Sequence, residues 1–224
     1  MAEQKQALAR AALKQVPKYG WTQHAITAAI MEDPHNKLPL SMSGMFTPTE
    51  LVQWLMDDFN RQMREDPELK KRSVFEKLKW RLTQVIPLAQ SGQWHHGMAM
   101  GLSTPLTTRS QLHEFVGLVA PPGSSTMYQT ALGGIFVASE LHLLTDSSPD
   151  FEETWKFLEA RLDELEQGQI VNLSVASSIP MAATTAVASS LLEGLISLLL
   201  PATMSSKNVP GTNPSDYKSN DRKT

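Results

Sequence analysis

The sequence predicts an all-α protein, and three observations carry that reading. Apolar residues recur at helical spacing along most of the chain. No stretch of useful length alternates with period two, as a half-buried strand would. Strong helix starts punctuate the sequence, two of them capping boxes in which Ser or Thr stands three residues before Glu.

Taken in order, MAEQKQALARAALKQ places Ala9, Ala12, Leu13 and Val16 on one face of a first helix, predicted to end at Pro17 with a tight exit at Gly20. A short second helix follows over 25–31, and EDPHNKLPLSMSG is an irregular connector. Thr47-Pro48-Thr49-Glu50 is a capping box with proline at the first helical position, and it opens a helix to about residue 63. Pro67 breaks that helix. Ser73 and Glu76 form the second capping box, ahead of a helix with Val74, Leu78, Leu82, Val85, Ile86 and Ala89 on one face, stopping near 87–92. The methionine-rich QWHHGMAMGLSTPL leads into a short helix at 111–119, APPGSS is a turn, and a long helix spans 126–144.

The stretch from Thr145 to Gly168 is the most organised in the chain. Ser147 or Ser148 serves as N-cap, Pro149 sits where its missing N–H costs nothing, and Asp150, Glu152 and Glu153 face the positive end of the helix dipole. Phe151, Trp155, Leu158, Leu162 and Leu165 then share one helical face. In the helix before it, Gly133 and Gly134 each cost roughly 1 kcal/mol relative to alanine. A cost of that size implies close helix packing or space left for a ligand.

Length and composition bound the function. At 224 residues the chain holds one sizeable domain and an appendage, its net charge of −3 attracts neither nucleic acid nor anionic lipid, and it has no cysteine. There is no phosphate-binding loop, dinucleotide fingerprint or nucleophile elbow. His95 and His96 are adjacent and diverge by about 100° on a helix. Glu32 and His35 are a lone Glu-x-x-His interrupted by proline, and Glu140 and His142 project to different sides. No acid, base and nucleophile assemble, and neither metal nor cofactor is expected. The sequence points to binding rather than catalysis.

In ATTAVASSLLEGLISLLLP, at 183–201, Val187, Leu191, Leu192, Leu195, Ile196, Leu198 and Leu199 fill a broad apolar arc, with Ser189, Ser190, Glu193 and Ser197 in the remainder. Glu193 makes this a poor spanning helix and a better interfacial one, a membrane-associating segment. Residues 205–224 are polar and rich in turn formers, which predicts a disordered tail. The expected organisation is a helical domain at 1–170, a linker and amphipathic helix at 171–204, and the tail.

The block from Asp146 to Leu162 reads Asp-Ser-Ser-Pro-Asp-Phe-Glu followed by ETWKFLEARL. With AALKQVPKYGWT, SGMF and RLTQVIP ahead of it, the chain resembles the lipid-binding accessory proteins of coenzyme Q (ubiquinone) biosynthesis. That resemblance implies a fold similar to the TetR regulators: an N-terminal three-helix unit, a helical ligand domain and a homodimer. It implies no catalysis, an isoprenoid or phospholipid ligand in an apolar pocket, and presentation of ubiquinone intermediates to a di-iron hydroxylase and its complex. It places the protein peripherally on the matrix side of the mitochondrial inner membrane, attached by the C-terminal helix. On this chain the pocket would draw on Leu82, Ile86, Gln129, Leu132, Ile135, Phe136, Trp155 and Leu158. The family's Asp-x-x-Trp-Tyr-x-x-Arg stretch is replaced here by GSSTMYQTALGG, and Gln129 stands about where its arginine would be. No transit sequence is evident, so import would rest on the first helix or on sequence ahead of it. The alternative is a TetR-type ligand-responsive transcription regulator. Residues 21–60, however, set Lys37 alone against Glu32, Asp33, Glu50, Asp57 and Asp58, a local charge of −4 that duplex phosphates would repel.

Overall fold

The computed structural model describes residues 2–32 and 38–168. Among them every regular element is helical, so the all-α class is borne out. Helix α1 (Ala2–Tyr19) packs along α2 (Gln23–Met31) and against α3 (Pro48–Glu65), with a short 3-10 helix at Leu40–Met45 closing this N-terminal unit. Helices α4 (Pro67–Lys71), α5 (Val74–Thr83), α6 (Ile86–Gln90), α7 (Trp94–Leu102), α8 (Pro105–Val119), α9 (Thr126–Leu143) and α10 (Glu152–Glu166) follow. Helix α3 joins the two halves by packing on α7 and α8, while α5 lies against α8, α9 and α10. The predicted membrane-associating helix, linker and tail lie outside the described residues.

Both capping boxes form as the sequence predicts. Thr47 Oγ1 accepts from Glu50 N at 3.2 Å and Glu50 Oε2 from Thr47 N at 2.7 Å, and Ser73 and Glu76 repeat the exchange. These bonds hold both glutamates below their ordinary carboxylate range. The helix after Thr47 buries Leu51, Val52, Leu55, Phe59 and Met63. Its other contact is polar: Asn60 Nδ2 donates to Gln111 O at 2.9 Å, and Gln111 Nε2 to Asp57 Oδ1 at 2.7 Å. Buried amides thereby fix α3 against α8.

Four features of the elements differ from expectation. Helix α1 runs past Pro17 to Tyr19, because Pro17 falls in the last turn and Gly20 N still reaches Val16 O at 2.8 Å. Gly20, at φ +68°, makes the exit. The stripe from Val74 to Ala89 is two helices rather than one. Pro87 cannot donate to the carbonyl a turn earlier, so α5 closes at Thr83 and the chain restarts as α6 with proline in its first turn. The methionine-rich stretch, to which the sequence assigned no element of its own, forms α7, and the helix expected at 111–119 begins at Pro105. Helix α7 is stabilised by tertiary packing. Trp94 and Met98 are buried, and Gly97 presses on the Trp21 ring, where an added Cβ would stand 3.1 Å from the indole. Trp21 Nε1 in turn donates to Gln93 O at 2.8 Å.

Candidate functional site

Helices α9 and α10 fold back on each other, and the turn between them departs from the predicted cap. Ser148 Oγ does accept from Glu153 N at 3.1 Å, but the main acceptor is Asp146. Asp146 Oδ2 takes Thr154 N at 2.8 Å and Thr154 Oγ1 at 2.6 Å, while its Oδ1 takes Ser148 N at 2.8 Å. Burial pushes this carboxyl up, yet the bonds from Thr154 and Ser148 outweigh it and hold the group at about 2. Between Ser148 and α10 the chain turns through Asp150 and Phe151, at φ 54° and 59°. That strained step lets Trp155 Nε1 donate to Asp150 O at 2.8 Å. Thr154 is fully buried, and its hydroxyl also lies 3.2 Å from His142 Nδ1. The Asp-Ser-Ser-Pro-Asp-Phe-Glu block is therefore a lock between two helices.

The residues expected to line a pocket come together behind that lock. Leu82, Leu132, Ile135, Phe136 and Leu158 are all buried in one core cluster, with Ile86 and Trp155 packed against it. Trp155 sits towards the rim, its ring beneath Lys79 Nζ at 4.8 Å. Gln129 lies apart from this group, with Nε2 donating to Ser124 O at 3.4 Å. Gly133 and Gly134 are buried in α9.

The same cluster holds two charges that were not expected there. Arg81 on α5 is 1% exposed and Glu140 on α9 is 4% exposed. The Arg81 guanidinium carbon lies 4.2 Å from the centre of the Phe59 ring, 5.7 Å from Phe136 and 6.0 Å from Phe115. Nη2 donates to Met56 Sδ at 2.9 Å, and a thioether is a weak acceptor. Nη1 is buried with no hydrogen-bond partner among the described residues. Glu140 Oε1 accepts from Trp94 Nε1 at 3.2 Å. Burial lowers the Arg81 guanidinium to about 10, against the opposing pull of Glu140, so it remains a cation at neutral pH. Burial raises the Glu140 carboxyl above its ordinary range, and Arg81 and the Trp94 bond only partly offset that rise. The two groups attract each other, but among the described residues no ion pair joins them directly. The sequence did carry a signal for both: Arg81 stands within the apolar face of α5, and Glu140 within the apolar run of α9.

Among the described residues, no group of three or more His, Asp or Glu side chains is placed to hold a metal ion. None of the described helices is long and apolar enough to cross a membrane.

A family model described as COQ9 matches residues 129–169, which include Glu140, Asp146 and Thr154. The ubiquinone biosynthesis protein COQ9, mitochondrial, of Xenopus tropicalis is 29% identical over 233 residues, covering 93% of this chain and 68% of its own. This chain resembles COQ9. COQ9-B of Xenopus laevis is also 29% identical, covering 93% of this chain and 73% of its own. COQ9 of Homo sapiens is 26% identical, over 91% and 66%. The resemblance read from the Asp146-to-Leu162 block is thus borne out, and the block lies inside the region that the COQ9 model matches.

Proposed function

We propose that this chain is a non-catalytic lipid-binding protein of mitochondrial ubiquinone biosynthesis. It holds an isoprenoid or quinone lipid and presents ubiquinone intermediates to a di-iron hydroxylase on the matrix face of the inner membrane. The observation that carries the reading is the likeness to COQ9 proteins across nine-tenths of the chain, since those relatives are named for ubiquinone biosynthesis. The apolar wall of α5, α9 and α10 supports a lipid ligand, and the apolar arc in the sequence at 183–200 supports peripheral attachment. Homodimerisation belongs to the same reading.

Duplex DNA is not a partner in this proposal. A helix-turn-helix unit needs two helices joined by a turn of roughly 3–4 residues. Among the described residues, α2 ends at Met31 and the next regular element is the 3-10 helix from Leu40, with no basic residue in LSMSGM.

The experiment is genetic and chemical together. Cells lacking this protein are expected to lose ubiquinone and accumulate an under-hydroxylated precursor, and re-expression of the full chain should restore the quinone. Unchanged quinone content in the deleted cells would refute the role. In parallel, liposome flotation of the full chain should be abolished by Leu195→Glu and by deletion of 183–224. Equal flotation of wild type and both variants would remove that segment as the anchor.

A further inference from the structure

A threonine hydroxyl has one proton to give, and the surroundings of Thr154 decide where it goes. Its Oγ1 lies 2.6 Å from Asp146 Oδ2 and 3.2 Å from His142 Nδ1. A carboxylate can only accept, and the shorter contact has the length of a charge-assisted O–H···O⁻ bond. Asp146 is held ionised, at about 2. The hydroxyl proton therefore goes to Asp146. Thr154 is fully buried, so its hydroxyl has no water to turn to. What remains for His142 is a lone pair of Oγ1, and two facing lone pairs would repel. Nδ1 must carry a proton. Phe157 stacks on the ring, with centroids 4.8 Å apart and planes 19° apart, which fixes its plane. His142 Nε2 has no hydrogen-bond partner among the described residues.

We propose that Asp146, acting through Thr154, fixes neutral His142 as the Nδ1–H tautomer, so that Nε2 is a standing hydrogen-bond acceptor for a neutral O–H or N–H donor. An imidazole free in water favours the other tautomer, with the proton on Nε2. The network inverts that preference through a carboxylate that reaches the ring only by way of a hydroxyl. A neutral ring carries one proton, so placing it on Nδ1 leaves the lone pair on Nε2. His142 is half-buried near the end of α9, and with Nδ1 engaged by Thr154, Nε2 is the nitrogen left for an incoming molecule. A neutral Nε2 takes hydroxyl or amide donors and refuses bare acceptors such as carbonyls and ethers. Asp146 and Thr154 are positioning residues, as carboxylates behind functional imidazoles commonly are. His142 makes the contact.

The test is nitrogen NMR of the full chain with labelled histidine, read at alkaline pH where the ring is neutral. The His142 signals are assigned by their loss in His142→Gln. Wild type should show a pyrrole-type Nδ1 and a pyridine-type Nε2. The Nδ1–H form should lead by about tenfold or more, since the other tautomer strands a buried lone pair. Thr154→Ser should keep that pattern. Thr154→Val removes the acceptor, and Asp146→Ala frees the hydroxyl to donate to Nδ1, so both should return the proton to Nε2. If neither variant folds, the wild-type spectrum decides alone. Phenol and anisole probe the acceptor, since only phenol carries an O–H. Phenol should move the wild-type Nε2 resonance, and anisole should not. A wild-type spectrum with the proton on Nε2 overturns the proposal. An Asp146→Ala variant that keeps Nδ1–H overturns the part given to the carboxylate, and an Nε2 resonance that phenol moves no more than anisole overturns the acceptor. None of these readouts depends on whether the chain binds lipid.

Discussion

The turn between α9 and α10 and the cluster around Arg81 treat polar groups in opposite ways. At the turn, the Asp146 oxygens are occupied by Ser148 N and by the amide and hydroxyl of Thr154. Around Arg81, a full charge is buried among rings with one donor left unpartnered among the described residues. A saturated network rigidifies and specifies one arrangement, whereas a buried donor left open is an expense that stability alone does not explain. The first region is a lock that holds α10 on α9; the second carries a buried charge whose donors are only partly answered among the described residues.

Breaking the charge balance should produce the largest effect. Glu140→Leu would leave Arg81 uncompensated, and urea unfolding should show a loss of about 3–5 kcal/mol. The double replacement Arg81→Met with Glu140→Leu should recover most of that loss, because a packed apolar pair can substitute for buried charges. If the double variant is no better than the single one, the two groups are not energetically coupled.

The lock should cost less to break. Asp146→Ala strands the amide of buried Thr154, and thermal unfolding should report about 2–3 kcal/mol, with Asp146→Asn losing roughly half.

Acid sharpens the same contrast. The Asp146 carboxyl is held at about 2, below its ordinary 3.8. Its contribution is therefore complete above pH 3.8 and is lost as pH falls through the folded value near 2. Discounted for its partial exposure, that contribution is about 1–2 kcal/mol. Asp146→Asn should flatten the stability profile across this window, and an unchanged profile would show that the carboxylate is not the acceptor that matters.

The smallest effect is expected at Gly97, where alanine would press on the buried Trp21 indole. A cost of about 1 kcal/mol in urea unfolding is expected, since overpacking forces the ring to shift.

What could be read from the sequence follows the locality of each cause. Helices α3, α5, α9 and α10 were legible because their caps and stripes lie within a few residues. Helix α7 was not: Gly97 and Gly101 lower its intrinsic propensity, and it is stabilised by Trp21, 76 positions before Gly97, and by Thr108. The apolar members of the candidate site were legible from periodicity. Arg81 and Glu140 were visible as charges within apolar faces, yet their meeting depends on how α5 packs on α9. Asp146 was obscured because Ser148 sits in the conventional capping position and takes only one of the bonds.

The most direct measurement is native mass spectrometry of the gently purified full chain. A lipid-binding protein should carry an isoprenoid or quinone lipid, with loading reduced in Gly134→Phe, which would put a large side chain at a buried position of α9. Wild-type protein that stays ligand-free and takes up no added quinone would contradict lipid binding.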